Sequence, residues 1–504
     1  MSETTLQQFL QQAATRRVVP VVRRLFVDSE TPVGLYRKLA NTPGTFLLES
    51  ADQAGKWSRY SFIGVSRHGT LLEESGRSLW LADGMSELEA FGVPLPSNPL
   101  DALKVLNSRW LSDPIPGLPP FSGGLVGHLS WDMVRLLESL PNKPAESHHV
   151  PALNLSLVRD IVAFDHHSQE VVLMALVHSD APATEQHYRE ALARVEAIHS
   201  TLAAPTSSTL QHRMDVQDKA PEPSLPEERF YEMVERALAH VSDGDVFQVV
   251  LSQQFSMEVT ADSLTVYRVL RQLNPSPYMY LLQCQDASGR DYQVVGSSPE
   301  ALVTVHGRRV YSHPIAGSRP RGQTPEEDLQ HQESLRADTK EQAEHLMLVD
   351  LARNDLSRVC EAGSVDVTEF MEIEKFSHIM HLVSTVEGTL KSDVDAVDVF
   401  VSTFPAGTLS GAPKPRALEI IDALEPVARG VYGGVVGYFG HGGDADLAIA
   451  IRTLWMSEGR AIVQAGAGIV ADSRPDAEYQ ETIHKASAPA RAIRLANALQ
   501  PGRR

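Results

Sequence analysis

Between residues 230 and 241 the apolar side chains fall at Phe230, Met233, Val234, Ala237, Leu238 and Val241. This spacing of three and four predicts a helix with one buried face. Further on the period shortens. Val246–Phe255, Tyr278–Gln283, Val294–Val305, Val431–Phe439, Ala448–Trp455 and Ala461–Val470 read as strands, and helices are expected near 334–353, 395–403, 415–424 and 477–499. Earlier in the chain, Gly44–Leu48 and Leu153–Phe164 are short alternating runs between turn-rich segments. Neither half keeps a steady strand–helix rhythm. The expected fold class is therefore α+β, antiparallel β-sheets with helices packed around them, rather than a doubly wound sheet. No internal repeat is found.

Residues 206–227, rich in proline, serine and threonine and without periodicity, read as a linker. They divide the chain into an N-terminal region, 1–205, and a C-terminal region, 228–504. At 504 residues the chain is long enough for two domains or one large elaborated one.

Composition narrows the classes. With 42% hydrophobic and 22% charged residues the chain is of globular type. A formal charge of −19 argues against a nucleic-acid partner, which would need a basic face. No run approaches the ~20 apolar residues that span a bilayer, and the opening residues lack a basic stretch followed by an apolar one. No membrane association and a cytoplasmic location are expected. The two cysteines, Cys284 and Cys360, form neither a close pair nor a zinc spacing.

Several segments can carry chemistry, each with a plainer alternative. Glu341 with Glu344, and Glu478 with Glu481, are glutamates three apart in helical context, which puts each pair on one helix face. Two such faces meeting would make an oxygen-rich site suited to Mg²⁺; a solvated helix face is the alternative. The glycines of Gln464-Ala465-Gly466-Ala467-Gly468 either let backbone N–H groups approach an anion or mark a bulge in a strand. They are no dinucleotide fingerprint, since no third glycine follows and Asp472-Ser473-Arg474-Pro475 reads as a helix stop. Phe404–Lys414 is a hydroxyl- and glycine-rich loop leading into a helix at Lys414–Leu424, either an anion site or ordinary turn chemistry. His381 shares a face with His378 in a helix and opposes it in a strand, and serves either as a core residue or as a base. Arg452 and Lys485 are the cations suited to a substrate carboxylate, or else surface residues.

In this order the motifs resemble those of the chorismate-utilising enzyme family. They are Phe247-Gln248-Val249-Val250-Leu251-Ser252, Gly296-Ser297-Ser298-Pro299-Glu300, Pro314-Ile315-Ala316-Gly317-Ser318-Arg319, Asp350-Leu351-Ala352-Arg353-Asn354-Asp355, Phe404 to Pro413, and Ala477-Glu478-Tyr479-Gln480-Glu481-Thr482. The resemblance covers roughly residues 228–495. In addition, Leu47-Leu48-Glu49-Ser50-Ala51 and Gly123-Gly124-Leu125-Val126-Gly127 look like the front region of anthranilate synthase component I, one branch of that family.

The resemblance implies a Mg²⁺-dependent lyase of tryptophan biosynthesis that turns chorismate and ammonia into anthranilate and pyruvate; aminodeoxychorismate synthase is the alternative. By the same resemblance, Glu344 and Glu481 ligate the metal and Glu341 and Glu478 hold its waters. Gly466, Ala467 and Gly468 offer backbone contacts to a substrate carboxylate, and Lys485 a charge. Tyr432 and Arg452 hold the enolpyruvyl side, with Thr408 among the catalytic groups nearby. Gly317 and Ser318 line the ring, Ser318 standing where the family commonly has threonine. Glu300 matches the acid that protonates the departing hydroxyl, and His381 the histidine needed for loss of pyruvate. These residue types suit the chemistry: hydroxide leaves poorly without a protonated acid beside it, and a dicarboxylate needs cations to draw it from water. Relatives that add water have lysine where Ala316 stands, so alanine here fits attack by free ammonia. Glu49, Ser50, Pro277, Tyr278 and Met279 resemble a site for L-tryptophan as inhibitor; a strand-edge turn is the alternative reading. No cysteine sits in a glycine-rich elbow. A separate glutamine amidotransferase subunit supplying ammonia, and an oligomeric assembly, are therefore expected.

Overall fold

In a computed structural model of the chain, residues 3–40, 42–50, 59–205, 211–212, 219–375 and 379–501 are described. Half of the expected linker, 206–210 and 213–218, and His378 lie outside them. Among the described residues, all strands but Gln211–His212 and Gln500–Pro501, which pair with each other, join one 20-stranded hydrogen-bonded network with helices packed on it, and its ladders are antiparallel. This is the α+β arrangement that the irregular pattern predicts.

Two ladders tie the front of the chain to the back. Phe46–Glu49 pairs with Tyr278–Gln285, setting Glu49 opposite Met279, and Gly124–Leu129 pairs with Val435–Gly440. The Tyr278–Gln285 strand is apolar on both sides. Tyr280 and Leu282 join one large buried cluster while Met279 and Leu281 join another, because successive side chains of a strand point to opposite faces.

Two-sided burial of this kind explains why two strand breaks depart from the predicted elements. Val294–Val305, expected as one strand, is two: Asp291–Ser298 and Ala301–His306. Pro299 has no N–H for a ladder, and the chain breaks at Pro299-Glu300. Ala448–Trp455 is likewise divided into Ala445–Ile449 and Thr453–Ser457, with Arg452 between them at φ 50°. The helix expected over 334–353 is a pair, Pro325–Ala337 and Thr339–Val359. Asp338 divides them, its side chain accepting from the N–H groups of Lys340 and Glu341 at 3.0 and 3.2 Å. Finally, Asp472-Ser473-Arg474-Pro475 opens a helix rather than stopping one. Pro475 is the first residue of Pro475–Ala498, where its missing N–H costs nothing.

Candidate functional site

Both strand breaks deliver a charged side chain to one place. At the first, Ser298 Oγ accepts from the Glu300 N–H at 3.3 Å, and the Ile449 N–H donates to the Glu300 carbonyl at 2.9 Å. With its backbone held from two sides, Glu300 turns its carboxyl to the Phe404–Pro413 loop, where the Thr408 hydroxyl donates to Oε1 at 3.1 Å. Burial pushes this carboxyl up to about 7, against the pull of Thr408, Lys485 and Arg452. An acid so placed is still substantially protonated near neutral pH.

At the second break, the left-handed backbone of Arg452, uncommon for a side-chain-bearing residue, brings its guanidinium within the field of Glu300. Burial lowers the Arg452 pKa and Glu300 opposes that. The arginine is steadied by a residue to which the sequence reading gives no role. Asn274 Oδ1 accepts from Arg452 Nη1 at 3.4 Å, while Asn274 Nδ2 donates to Ser297 Oγ at 2.6 Å.

His381 lies in the strand Ile379–Thr389, which resolves its open assignment. That strand pairs with Ile315–Pro320, Ala316 opposite Leu382 and Ser318 opposite His381, and the register shifts between them. The extra residue is Gly317, at φ 65°, a conformation that favours glycine in a bulge. Its carbonyl accepts from His381 Nδ1 at 3.0 Å. A neutral ring therefore carries its proton on Nδ1, with Nε2 the basic nitrogen. Burial lowers the His381 pKa. Ala316 is buried and Ser318 exposed.

The glutamates come from two helices, Glu341 and Glu344 from Thr339–Val359, and Glu478 and Glu481 from Pro475–Ala498. The helices bring them within electrostatic reach. Burial raises the pKa of Glu344, and the charges of Glu341 and Glu481 raise it further; Glu478 is raised by burial and by Glu481. Cations meet two of them: Lys485 Nζ stands 2.6 Å from Glu481, and Arg319 Nη1 3.4 Å from Glu341. Among the described residues no three of these side chains stand in ligand geometry. The bulge faces the same helix, since a Cβ on Gly317 would lie 3.0 Å from Glu341 Oε2.

Lys485 also donates to the Gly466 carbonyl at 3.0 Å. Gly466, Ala467 and Gly468 run in regular register along Arg460–Ile469, opposite Ser252, Leu251 and Val250, so the bulge alternative does not hold. A Cβ on Gly466 would lie 2.7 Å from the Tyr432 hydroxyl, and one on Gly468 would strike Gln248. Glycine here makes room. Burial raises the Tyr432 pKa, so its hydroxyl stays protonated as a donor.

A second constellation forms where Phe46–Glu49 meets Tyr278–Gln285. Glu49 is 5% exposed. Its Oε2 accepts from the Tyr267 hydroxyl and lies 3.3 Å from Arg271 Nε. Among the described residues, Glu49 Oε1 and Ser50 Oγ are buried with no hydrogen-bond partner, an arrangement folded proteins rarely keep. Met279 faces Glu49, whereas Tyr278 points the other way and pairs with Asp446 and Thr304. Tyr267 and Arg271 escape the sequence reading. Their signal is the four-residue spacing that lays both on one helix face.

Residues 56–491 match the family model described as chorismate binding enzyme. The chain is 50% identical over 506 residues to anthranilate synthase component 1 of Arthrobacter globiformis, covering 98% of this chain and 93% of that protein. It is 47% identical to the protein of the same name from Mycolicibacterium smegmatis, covering 99% and 95%. The crystal structure of anthranilate synthase component I from Streptococcus pneumoniae TIGR4 superposes with a TM-score of 0.74 at 35% identity, covering 92% of this chain and 98% of that one. A menaquinone-specific isochorismate synthase from Escherichia coli, 17% identical with a TM-score of 0.70 over 97% and 98% of the two chains, shares the fold. On these matches and this geometry, the chain belongs to the chorismate-binding enzymes, within the anthranilate synthase component 1 family.

Proposed function

We propose that the chain converts chorismate and ammonia into anthranilate, pyruvate and water in tryptophan biosynthesis. The observation that carries the mechanism is the meeting of a buried, proton-bearing Glu300 with Arg452 and Lys485 beside facing glutamate helices. The donor set fits a Mg²⁺ ion, a hard cation held by carboxylates and water, and the mutual repulsion of Glu344, Glu341 and Glu481 is a load such an ion would neutralise. Glu344 and Glu481 would hold it, with Glu341 and Glu478 on its waters, and it would supply charge for the ring carboxylate of the substrate.

The remaining work falls to this chain's own groups. The N–H groups along Gly466–Gly468 and the ammonium of Lys485 receive a carboxylate, while Arg452 and the Tyr432 hydroxyl receive the enolpyruvyl side. Glu300 gives its proton to the C4 hydroxyl, which leaves as water while ammonia forms its bond to C2. The adduct is an aminodeoxyisochorismate. His381 Nε2 then removes the proton from C2, the C–O bond to the side chain breaks, and pyruvate departs from an aromatic ring. Among the family's chemistries ammonia is favoured by Ala316, whose methyl offers no amine to activate water.

Ammonia comes from a separate glutamine amidotransferase. Both cysteines are buried, and burial pushes the Cys284 thiol up to about 12, far from a reactive thiolate. The unpartnered Glu49 Oε1 and Ser50 Oγ support an inhibitory site for L-tryptophan, which would offer its ammonium to both. Ser50, Pro277 and Met279 would contribute side chains, and Tyr278 its backbone. Incubation of the pure chain with chorismate, Mg²⁺ and ammonium chloride tests the main reading. Anthranilate and pyruvate in equal amounts are expected. An amino adduct accumulating without pyruvate would overturn it.

A further inference from the structure

Beside Glu300 lies a recess whose lining includes neither Arg452 nor Gly466. Its volume is about 50 Å³, and Glu300 and Thr408 are among the residues that line it. Leu348, Leu351, Ala352 and Asp355 of Thr339–Val359 form a wall. They continue the stripe that Glu344 begins, at spacings of four, seven, eight and eleven, so one helix face carries both the proposed metal ligand and the recess. From Leu348 to Asp355 the wall is roughly 10 Å long at ~1.5 Å per residue.

A second wall is Ser312 and Pro314. The pairing with Ile379–Thr389 keeps one register from Ser312, opposite Val386, through the Ser384 N–H on the Pro314 carbonyl at 3.1 Å, to Ala316, opposite Leu382. Ser312, Pro314 and Ala316 therefore share one sheet face. Two residues of the lining thus stand on the sheet face that carries Ala316, the position whose short side chain leaves C2 open to an outside nucleophile.

Size and polarity define what fits. A single water needs about 10–15 Å³, so the recess holds a few molecules of that size and excludes a ring with two carboxylates. Leu348, Leu351, Ala352, Ala406 and Pro314 make much of its lining apolar, which disfavours ammonium relative to neutral ammonia because an unpaired charge is costly there. Its polar lining is Glu300, Thr408, Ser312, His313, Thr403 and Asp355, the last held 2.6 Å from Lys414 Nζ. Chorismate seated between the glutamate helices and Gly466 would fill that ground, so the nucleophile needs its own approach. We propose that this recess is the ammonia site, through which NH₃, its extra proton already left in solvent, reaches the reacting carbon. The inference rests on the ammonia-dependent reading above.

Filling the recess from opposite walls tests it. Ala352→Leu and Ser312→Leu each add bulk, and neither residue belongs to the catalytic or substrate-binding groups. With ammonium chloride as the probe, each should raise the KM for ammonia about tenfold and leave the KM for chorismate and kcat within about twofold, the signature of lost access to one reactant. Ala352→Ser and Ser312→Ala should behave as the parent. Thermal melting reports folding; should either bulky variant fail to melt cooperatively, Gly407→Ala, whose Cβ would meet Leu351 Cδ1 at 2.8 Å, replaces it. An unchanged ammonia KM in the folded variants overturns the proposal. So does a chorismate KM that rises in step, which would make the recess part of the substrate pocket. Failure of the parent chain to make anthranilate from ammonium would instead overturn the activity itself.

Discussion

The Thr408 hydroxyl donates to Glu300 Oε1 at 3.1 Å, a hydrogen bond that offsets the burial of an acid raised to about 7. The proposed mechanism needs that acid protonated, so with free NH₃ held constant kcat should fall as pH rises through about 7. Thr408→Val removes a bond that favours the carboxylate, and the falling limb should therefore move to higher pH. A limb that stays in place, or moves down, would separate Glu300 from the proton step.

Glu344 carries a load in the metal-free protein, from burial first and then from the charges of Glu341 and Glu481. Glu344→Gln relieves that repulsion. The variant should melt at the parent's temperature or a few degrees above it without Mg²⁺, since ~1 kcal/mol moves the melt of a large domain by about 2–4 °C. Its turnover at limiting Mg²⁺ should be nearly abolished. Retained turnover would refute the metal assignment, and a large drop in melting temperature would mark Glu344 as structural.

Ser50 Oγ is buried without a partner, so Ser50→Ala should cost almost no stability and leave uninhibited turnover unchanged. Inhibition by L-tryptophan should weaken about five- to a hundredfold, the equivalent of a hydrogen bond worth ~1–3 kcal/mol. An inhibition curve identical to the parent's would place the regulatory site elsewhere.

His68, His178 and His441 pack together away from the site, with His178 Nε2 3.0 Å from His441 Nε2 and both ring nitrogens of His68 buried without partners. Burial lowers all three, His68 and His441 to about 3. Depressed histidines contribute stability that is present above about 6.5 and lost as pH falls toward 3. Each held neutral costs on the order of 1 kcal/mol by about pH 5.5. His68→Leu should flatten this loss and shift the acid unfolding midpoint, followed by circular dichroism, to lower pH. A midpoint that rises would show that the neutral imidazole contributes packing that leucine cannot replace.

Particular residues show what the sequence could reveal. The helix at 414–424 and the strand around 461–469 are legible because local periodicity and packing agree there. The breaks at Pro299-Glu300 and Ala450–Arg452 are not, because strands buried on both faces stay apolar without interruption. The glutamate spacing indicated faces on helices, and the family motifs gave them roles, but only the fold shows Glu344 and Glu481 acting on each other. The partners of Glu49 were illegible for another reason. Tyr267 and Arg271 reach it only after Phe46–Glu49 has been laid against a strand more than two hundred residues away.

That long-range ladder, and its counterpart between Gly124–Leu129 and Val435–Gly440, bears on how such a chain can be altered by recombination. A crossover placed in the proline-rich stretch after residue 205 looks harmless on the linear map, yet it would sever two seams of backbone hydrogen bonds. Either fragment alone would present open strand edges, the usual template for intermolecular aggregation. The proposed inhibitor site and the proposed catalytic site are thus sewn into one fabric: a front half brought in from a relative must match the seams of the back half before it can lend any inhibitor response.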